Sequence, residues 1–246
     1  DGSLSAGIVE LTSADQIVDN DTVDANDITA TSAILSSTNG VGYDGATDNA
    51  IETAVTNLAV RTTTSGNINI DNTGALLLED ANTIDAVNYP VAWGYAVSGA
   101  GNVNIQASSP LTVNANVTAA GNITLTAVGS GASGDNLTIN ANIQSTLNNS
   151  TITLNAGGAV FNQTGGSFDS NGGNISISSY GNGTINLVNA GTGVVNITST
   201  NGAINAVTDD GVADIIGSTI NLLANNGGIG TTTTLDVTAT TALNAD

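Results

Sequence analysis

Carboxylates are the side chains of this chain best equipped for chemistry, and they fall in two runs. In "DQIVDNDTVDAND" five of them, Asp15, Asp19, Asp21, Asp24 and Asp27, stand within thirteen residues. Hard oxygen donors at that density suit Ca²⁺, which takes about six to eight oxygens. Asp19, Asp21, Asp24 and Asp27 are the candidate ligands. The run is not an EF-hand loop, because the sharp-turn Gly and the closing Glu are missing, and the glycine-rich nonapeptide of calcium-binding β-rolls is absent too. A solvated acidic loop is the alternative, and it needs no metal. Divalent ions would also relieve the self-repulsion of so acidic a chain without any discrete site.

The second run, "TDDGVAD", offers Asp209, Asp210 and Asp214. Paired carboxylates suit glycoside hydrolysis, one as acid and one activating water. Gripping an anionic sugar takes a cationic clamp, and proton abstraction beside a uronate takes a base such as Lys or Arg. The chain holds no His and a single Lys or Arg, Arg61. Turn carboxylates are therefore the expected reading, and the chain is not expected to be an enzyme.

A third feature is aromatic. "NYPVAWGYAVSG" gathers Tyr89, Trp93 and Tyr95 beside Pro90. Exposed, these rings would stack on sugars or anchor a partner. Folded back, they would pack as an excursion over the surface of the molecule.

Composition narrows the partners. A formal charge of −20 argues against nucleic acid, whose phosphates demand Lys and Arg, and against anionic membrane surfaces. No Cys and no His means no disulfide, no thiolate metal site and no usual zinc set. No stretch approaches the roughly 20 apolar residues of a membrane span. The 246 residues begin without a basic, apolar export signal, so Asp1 reads as a processed end or as a cut within a longer chain. At 40 % apolar residues, in alternating runs of Val, Ile, Leu and Ala, the chain is no disordered tail.

Those runs repeat. Gly66-Asn67-Ile68-Asn69-Ile70 returns as Gly101-Asn102-Val103-Asn104-Ile105, Gly121-Asn122-Ile123-Thr124-Leu125 and Gly173-Asn174-Ile175-Ser176-Ile177. Relatives begin at Asp135, Ser150, Gly183, Gly193, Gly202 and Ser218. Each is a short strand with apolar residues inward and Asn, Thr or Ser outward, bounded by Gly and Asn turns. Strands of like polarity and phase predict coils stacked in parallel: all-β, a right-handed parallel β-helix. A coil of about 20 residues predicts roughly a dozen rungs, and about 4.8 Å per rung predicts a rod some 55–60 Å long. The glycines are expected at corners needing φ > 0, the asparagines in amide ladders between rungs. A narrow core should leave little room for aromatics.

A longer repeat overlies the coils. Asp1 to Ala6 matches Asn201 to Ala206, and "DITATSAILSSTNGVG" (27–42) parallels "DIIGSTINLLANNGGIG" (214–230). The first copy carries an acidic insertion near 7–26, and an aromatic excursion falls near 88–99. The expectation is one β-helical segment over 1–246, with 1–200 as one unit and 201–246 as the start of the next. That is how a slice of a tandem array reads.

The Gly-Asn-Ile strands, "ASSPLTVNANVTAAGNITLTA", "GGIGTTTTLDVTATTALNAD" and "NGVGYDGATDNAIETAVTNLAV" resemble the β-strand repeats of giant bacterial surface proteins. These are the filamentous haemagglutinin-type exoproteins of two-partner secretion and related β-helical adhesins. The resemblance covers nearly the whole chain, least well Tyr89 to Gly99. It implies an extracellular, rod-like adhesive or filament module on the bacterial cell surface. Its partners would be itself end to end, neighbouring repeats, or surface glycans and other cells. It implies no catalytic residue and no required cofactor, with calcium the one ion the acidic residues can take.

Overall fold

Inward-facing Ile, Val and Leu at every second position leave each strand able to bury one face only, and stacking on an identical strand is how a coil buries it. The structure, a computed structural model that describes residues 4–19, 25–42, 50–129, 134–158 and 160–246, does this throughout. All strand pairings among the described residues are parallel. The only helix among the described residues is a single turn, Ala81–Ile84.

Inward residues stack in three ladders, of which the first and third run through nearly all the described coils and the second begins at Leu76. The first face stacks Ile17, Val41, Ile68, Val103, Ile123, Ile152, Ile175, Val195, Ile220 and Leu243. The second stacks Leu76, Leu111, Leu137, Phe161, Gly183, Ile204 and Ile229. The third stacks Leu11, Leu35, Val60, Val97, Val117, Ile143, Phe168, Val188, Ile215 and Val237. The result is an all-β parallel solenoid of about nine turns.

About nine turns stand near the expected dozen. There are fewer because most coils are longer than 20 residues: Val103 and Ile123 stack 20 apart, but Ile123 and Ile152 are 29 apart and Ile68 and Val103 are 35 apart. Strands Ile175–Ser179 and Val194–Ser199 lie on the first face, while Gly183–Ile185 between them lies on the second. At about 4.8 Å per turn, nine turns span about 43 Å.

Block 7–26 is not all loop. Its first half belongs to strand Leu4–Ser13, which pairs with Ile28–Ser37, and Gln16–Ile17 pairs with Gly40–Val41. The long repeat keeps its local structure, since Ile28–Ser37 and Ile215–Ala224 are both ten-residue strands followed by a two-residue one. It does not keep its face. Ile215 stacks in the ladder that holds Leu35, not in the stack of Ile28, so the second copy is turned by one side of the coil.

The core also takes aromatics after all. Phe161 and Phe168 are fully buried, their ring centroids 6.1 Å apart. Gly183, the residue stacked on Phe161, brings no side chain of its own.

Candidate functional site

The first-face strand Ile51–Ala54 points Ile51 and Thr53 inward and Glu52 outward. One coil earlier, Asp27 sits just before strand Ile28–Ser37, and the two positions are tied by backbone geometry. The Asp27 N–H donates to the Glu52 carbonyl at 2.8 Å, and the Glu52 N–H donates to Asp27 Oδ2 at 3.1 Å. Asp19, which follows Gln16–Ile17, completes the group: one carboxylate oxygen from each of Asp19, Asp27 and Glu52 lies within 4.8 Å of the others. All three are half-buried.

Burial raises the Glu52 carboxyl to about 7, and the neighbouring Asp27 and Asp19 add to the shift, while a backbone hydrogen bond opposes it. Its Oε2 is buried, and among the described residues it is the only buried side-chain oxygen or nitrogen without a hydrogen-bond partner.

Of the four calcium ligands expected from the sequence, then, Asp19 and Asp27 come together. Asp21 and Asp24 lie outside the described residues. Asp15 serves a corner instead, its Oδ1 accepting from Asn39 Nδ2 at 2.9 Å. Glu52 was missed because it stands 25 residues beyond Asp27, one coil along rather than within the run. The coil length was the signal that would have found it.

Tyr89, Trp93 and Tyr95 form one cluster. The Trp93 ring centroid lies 5.5 Å from that of Tyr89, edge to face, and 5.8 Å from that of Tyr95. Arg61 places its guanidinium 4.2 Å from the Trp93 centroid, a cation–π contact, while its Nε donates to Ser36 Oγ. Beneath lie Ile34, Ala59 and Ala81. This is why "SAILSS" and "NLAVRT" lose polar alternation: Ala33, Leu35, Leu58 and Val60 face the main core while Ile34 and Ala59 face the excursion.

Asp80 organises the excursion. Its Oδ1 accepts from Asn82 N, as the cap of the helical turn, and from Trp93 N at 3.0 Å, and its Oδ2 accepts from Gly94 N at 2.6 Å. Asp85 accepts from the N–H groups of Asn88 and Val87, which hold its carboxyl below the usual range. Asn88 reaches back to Glu10 Oε1. Burial pushes the Tyr89 phenol up. Outermost are Val87 and Val91, 88 % and 78 % exposed, with exposed Pro90 between.

The second acidic run makes turns. Asp210 accepts from Val212 N and Thr208 Oγ1, and Asp209 Oδ2 accepts from Thr234 Oγ1. Asp214 is buried at the start of Ile215–Ala224, where its Oδ2 accepts from Asp236 N at 2.8 Å. Burial raises its carboxyl, and the charges of Asp236, Asp210 and Asp209 add to the rise.

No family model, curated protein or solved structure matches the chain.

Proposed function

We propose that this chain is a structural and adhesive rod: a repeat module of a very long secreted bacterial surface protein, acting outside the cell and without catalysis. The observation that carries the reading is the continuous stacking of the first and third ladders over about nine turns, with one register shift between them at Gly217 and Thr219 in the last pairing. Parallel hydrogen bonding between every pair of coils makes a stiff spacer. A single base, held against Ser36 and Trp93, gives trypsin-like proteases one poorly presented cut, which suits life outside the cell.

The contact surface in this reading is the tip of the excursion, Val87, Pro90 and Val91, standing on the packed Tyr89–Trp93–Tyr95 platform. The outermost strands, Leu4–Ser13 and Val237–Ala245, each pair on one edge only among the described residues, so neighbouring repeats or further copies can continue the coil. Small-angle scattering with negative-stain imaging tests the rod: single particles about 43 Å long fit a spacer, and regular filaments fit end-to-end copies. Beads coated with the chain should bind cells, and a Val87→Ser, Val91→Ser variant should bind several-fold less. Equal binding by both chains would remove adhesion through this tip.

Carbohydrate recognition is the second reading, favoured by three half-buried rings held together on one surface loop. One face of Trp93 is already taken by Arg61, so stacking would fall to the tyrosines. Unchanged glycan-array binding after Tyr89→Ala and Tyr95→Ala would dispose of it.

A further inference from the structure

We propose that Asn226 is a site of spontaneous covalent modification, where the backbone nitrogen of Gly227 attacks the side-chain amide and the residue becomes aspartate or isoaspartate. Asparagine is among the thermolabile residues, and a following glycine, with no Cβ, leaves ring closure unhindered. In the closure the Gly227 N–H gives up its proton, the nitrogen bonds to Cγ of Asn226, and the Cγ–Nδ2 bond breaks with loss of ammonia. Water then opens the succinimide ring. Cleavage at Cγ gives aspartate, and cleavage at the backbone carbonyl carbon gives isoaspartate, whose main chain runs through Cγ. Each event adds a negative charge and removes an amide donor from the corner.

Asn-Gly occurs five times, at Asn39, Asn171, Asn182, Asn201 and Asn226, and the fold holds four of these pairs. Gly40, Gly183 and Gly202 are buried, so the coil around them keeps the nitrogen from swinging onto the side chain before it. The Gly40 N–H also donates to Ser37 Oγ at 3.2 Å, and Asn182 Oδ1 accepts from Ala203 N at 2.9 Å. At the half-buried Asn171 pair the leaving nitrogen itself is held, since Nδ2 donates to the Thr146 carbonyl and to Asn148 Oδ1, both at 2.9 Å. Only at the fifth pair are both residues exposed. Asn226 and Gly227 lie between strands Ile215–Ala224 and Gly228–Ile229, and an exposed bond from Asn226 Nδ2 to Asn201 Oδ1, at 3.1 Å, ties the side chain to the coil before. The glycine is imposed by the fold, because a Cβ at Gly227 would run into Ala203 N and Gly202 C. That same close approach lays Gly227 over Gly202 and shields the Asn201 pair. The modification is independent of what the rod adheres to.

Incubation of the intact chain at neutral and mildly alkaline pH, followed by ammonia release and by peptide mapping with electron-transfer fragmentation, tests the proposal. Pepsin serves for the mapping, because Arg61 gives trypsin a single cut. In the folded chain Asn226 should convert first, at least about tenfold faster than Asn39, Asn171, Asn182 and Asn201, each of which must open locally before it reacts. The rate should rise with pH, because the attacking nitrogen must lose its proton. In denaturant the five pairs should convert at similar rates. Asn226→Gln, whose longer side chain closes the ring poorly, should abolish the early ammonia and melt as the parent does. Similar rates at all five pairs in the folded chain would mean that local sequence alone governs the reaction, and would overturn the assignment. So would faster conversion at a held pair, early ammonia that survives Asn226→Gln, or an Asn226 that stays intact in the fold while the unfolded chain converts.

Discussion

At Gly121 a Cβ would stand 2.3 Å from Asn102 Oδ1, the oxygen that accepts the Asn122 N–H at 2.8 Å. The same device recurs: Asn67 Oδ1 accepts Asn102 N, Asn122 Oδ1 accepts Thr151 N, and Asn174 Oδ1 accepts Val194 N. So the asparagines that follow these glycines do not ladder amide to amide, although corner pairs elsewhere do, Asn140 donating to Asn114, Asn171 to Asn148 and Asn226 to Asn201. Each of the former uses its side-chain oxygen to hold the backbone of the following coil. Amide-to-amide pairs also occur on outward strand positions, from Asn104 to Asn69 and from Asn221 to Asn196. Gly121 is glycine for close approach rather than for a left-handed φ, whereas Gly66 needs both, at φ +83° and with the Asn39 carbonyl in the way. Gly121→Ala should therefore cost about 1–3 kcal/mol in denaturant unfolding. Gly7→Ala, with nothing within 4 Å, should stay within about 0.5 kcal/mol. Equal losses at both would mean that the Gly-Asn pair reflects turn propensity alone. The sequence made the pairing of Gly with Asn visible, but not its reason, because the group that excludes a Cβ comes from the preceding coil.

Elements show where reading by pattern stops. Strands of five residues such as Ile123–Ala127 and Ile152–Ala156 carry enough alternation to be found. Two- and three-residue strands such as Val188–Asn189 and Val117–Ala119 do not, so the triangular path of each coil was hidden and its length was set at about 20 residues, too short for most coils. The excursion was legible as an interruption, but its anchor was not, since Asp80 lies outside the aromatic stretch and acts on backbone N–H groups. Asp80→Ala should release Trp93, the only tryptophan, shifting its emission to the red and raising acrylamide quenching. Far-ultraviolet dichroism of the rod should hardly change. Unshifted emission would place the hold on Trp93 in Arg61 and the tyrosines instead. Strand Ile215–Ala224 has a weak start of the opposite kind. The carboxyl of Asp214 is raised in the folded chain, so the folded state holds the proton more tightly and stability falls as pH rises through that range. Asp214→Asn keeps an acceptor for Asp236 N and loses the charge. It should melt higher than the parent at pH 7, with the gain fading below about pH 4, where the unfolded carboxyl is also protonated. A gain that persisted into acid would have a cause other than ionisation.

Across the whole molecule, twenty-one acidic residues face one base, and that imbalance fixes the sign of the salt response. In most proteins added salt screens attractions and repulsions together, and the two effects partly cancel. Here almost every charged pair repels. The repulsion is greater when the carboxylates are wound into a coil about 43 Å long than when the chain is unfolded and expanded. Raising NaCl from about 10 mM to 150 mM shortens the screening distance from about 30 Å to about 8 Å, less than two rungs' worth of charge. The melting temperature should climb by several degrees over that range in chelator and flatten beyond it, with no specific ion involved. Glu52→Gln should climb in parallel with the parent, since diffuse repulsion belongs to the whole surface. A melting temperature that stayed flat or fell with NaCl would mean that coil-to-coil pairing already outweighs the charge, and that the acidity governs contacts between rods rather than the stability of one.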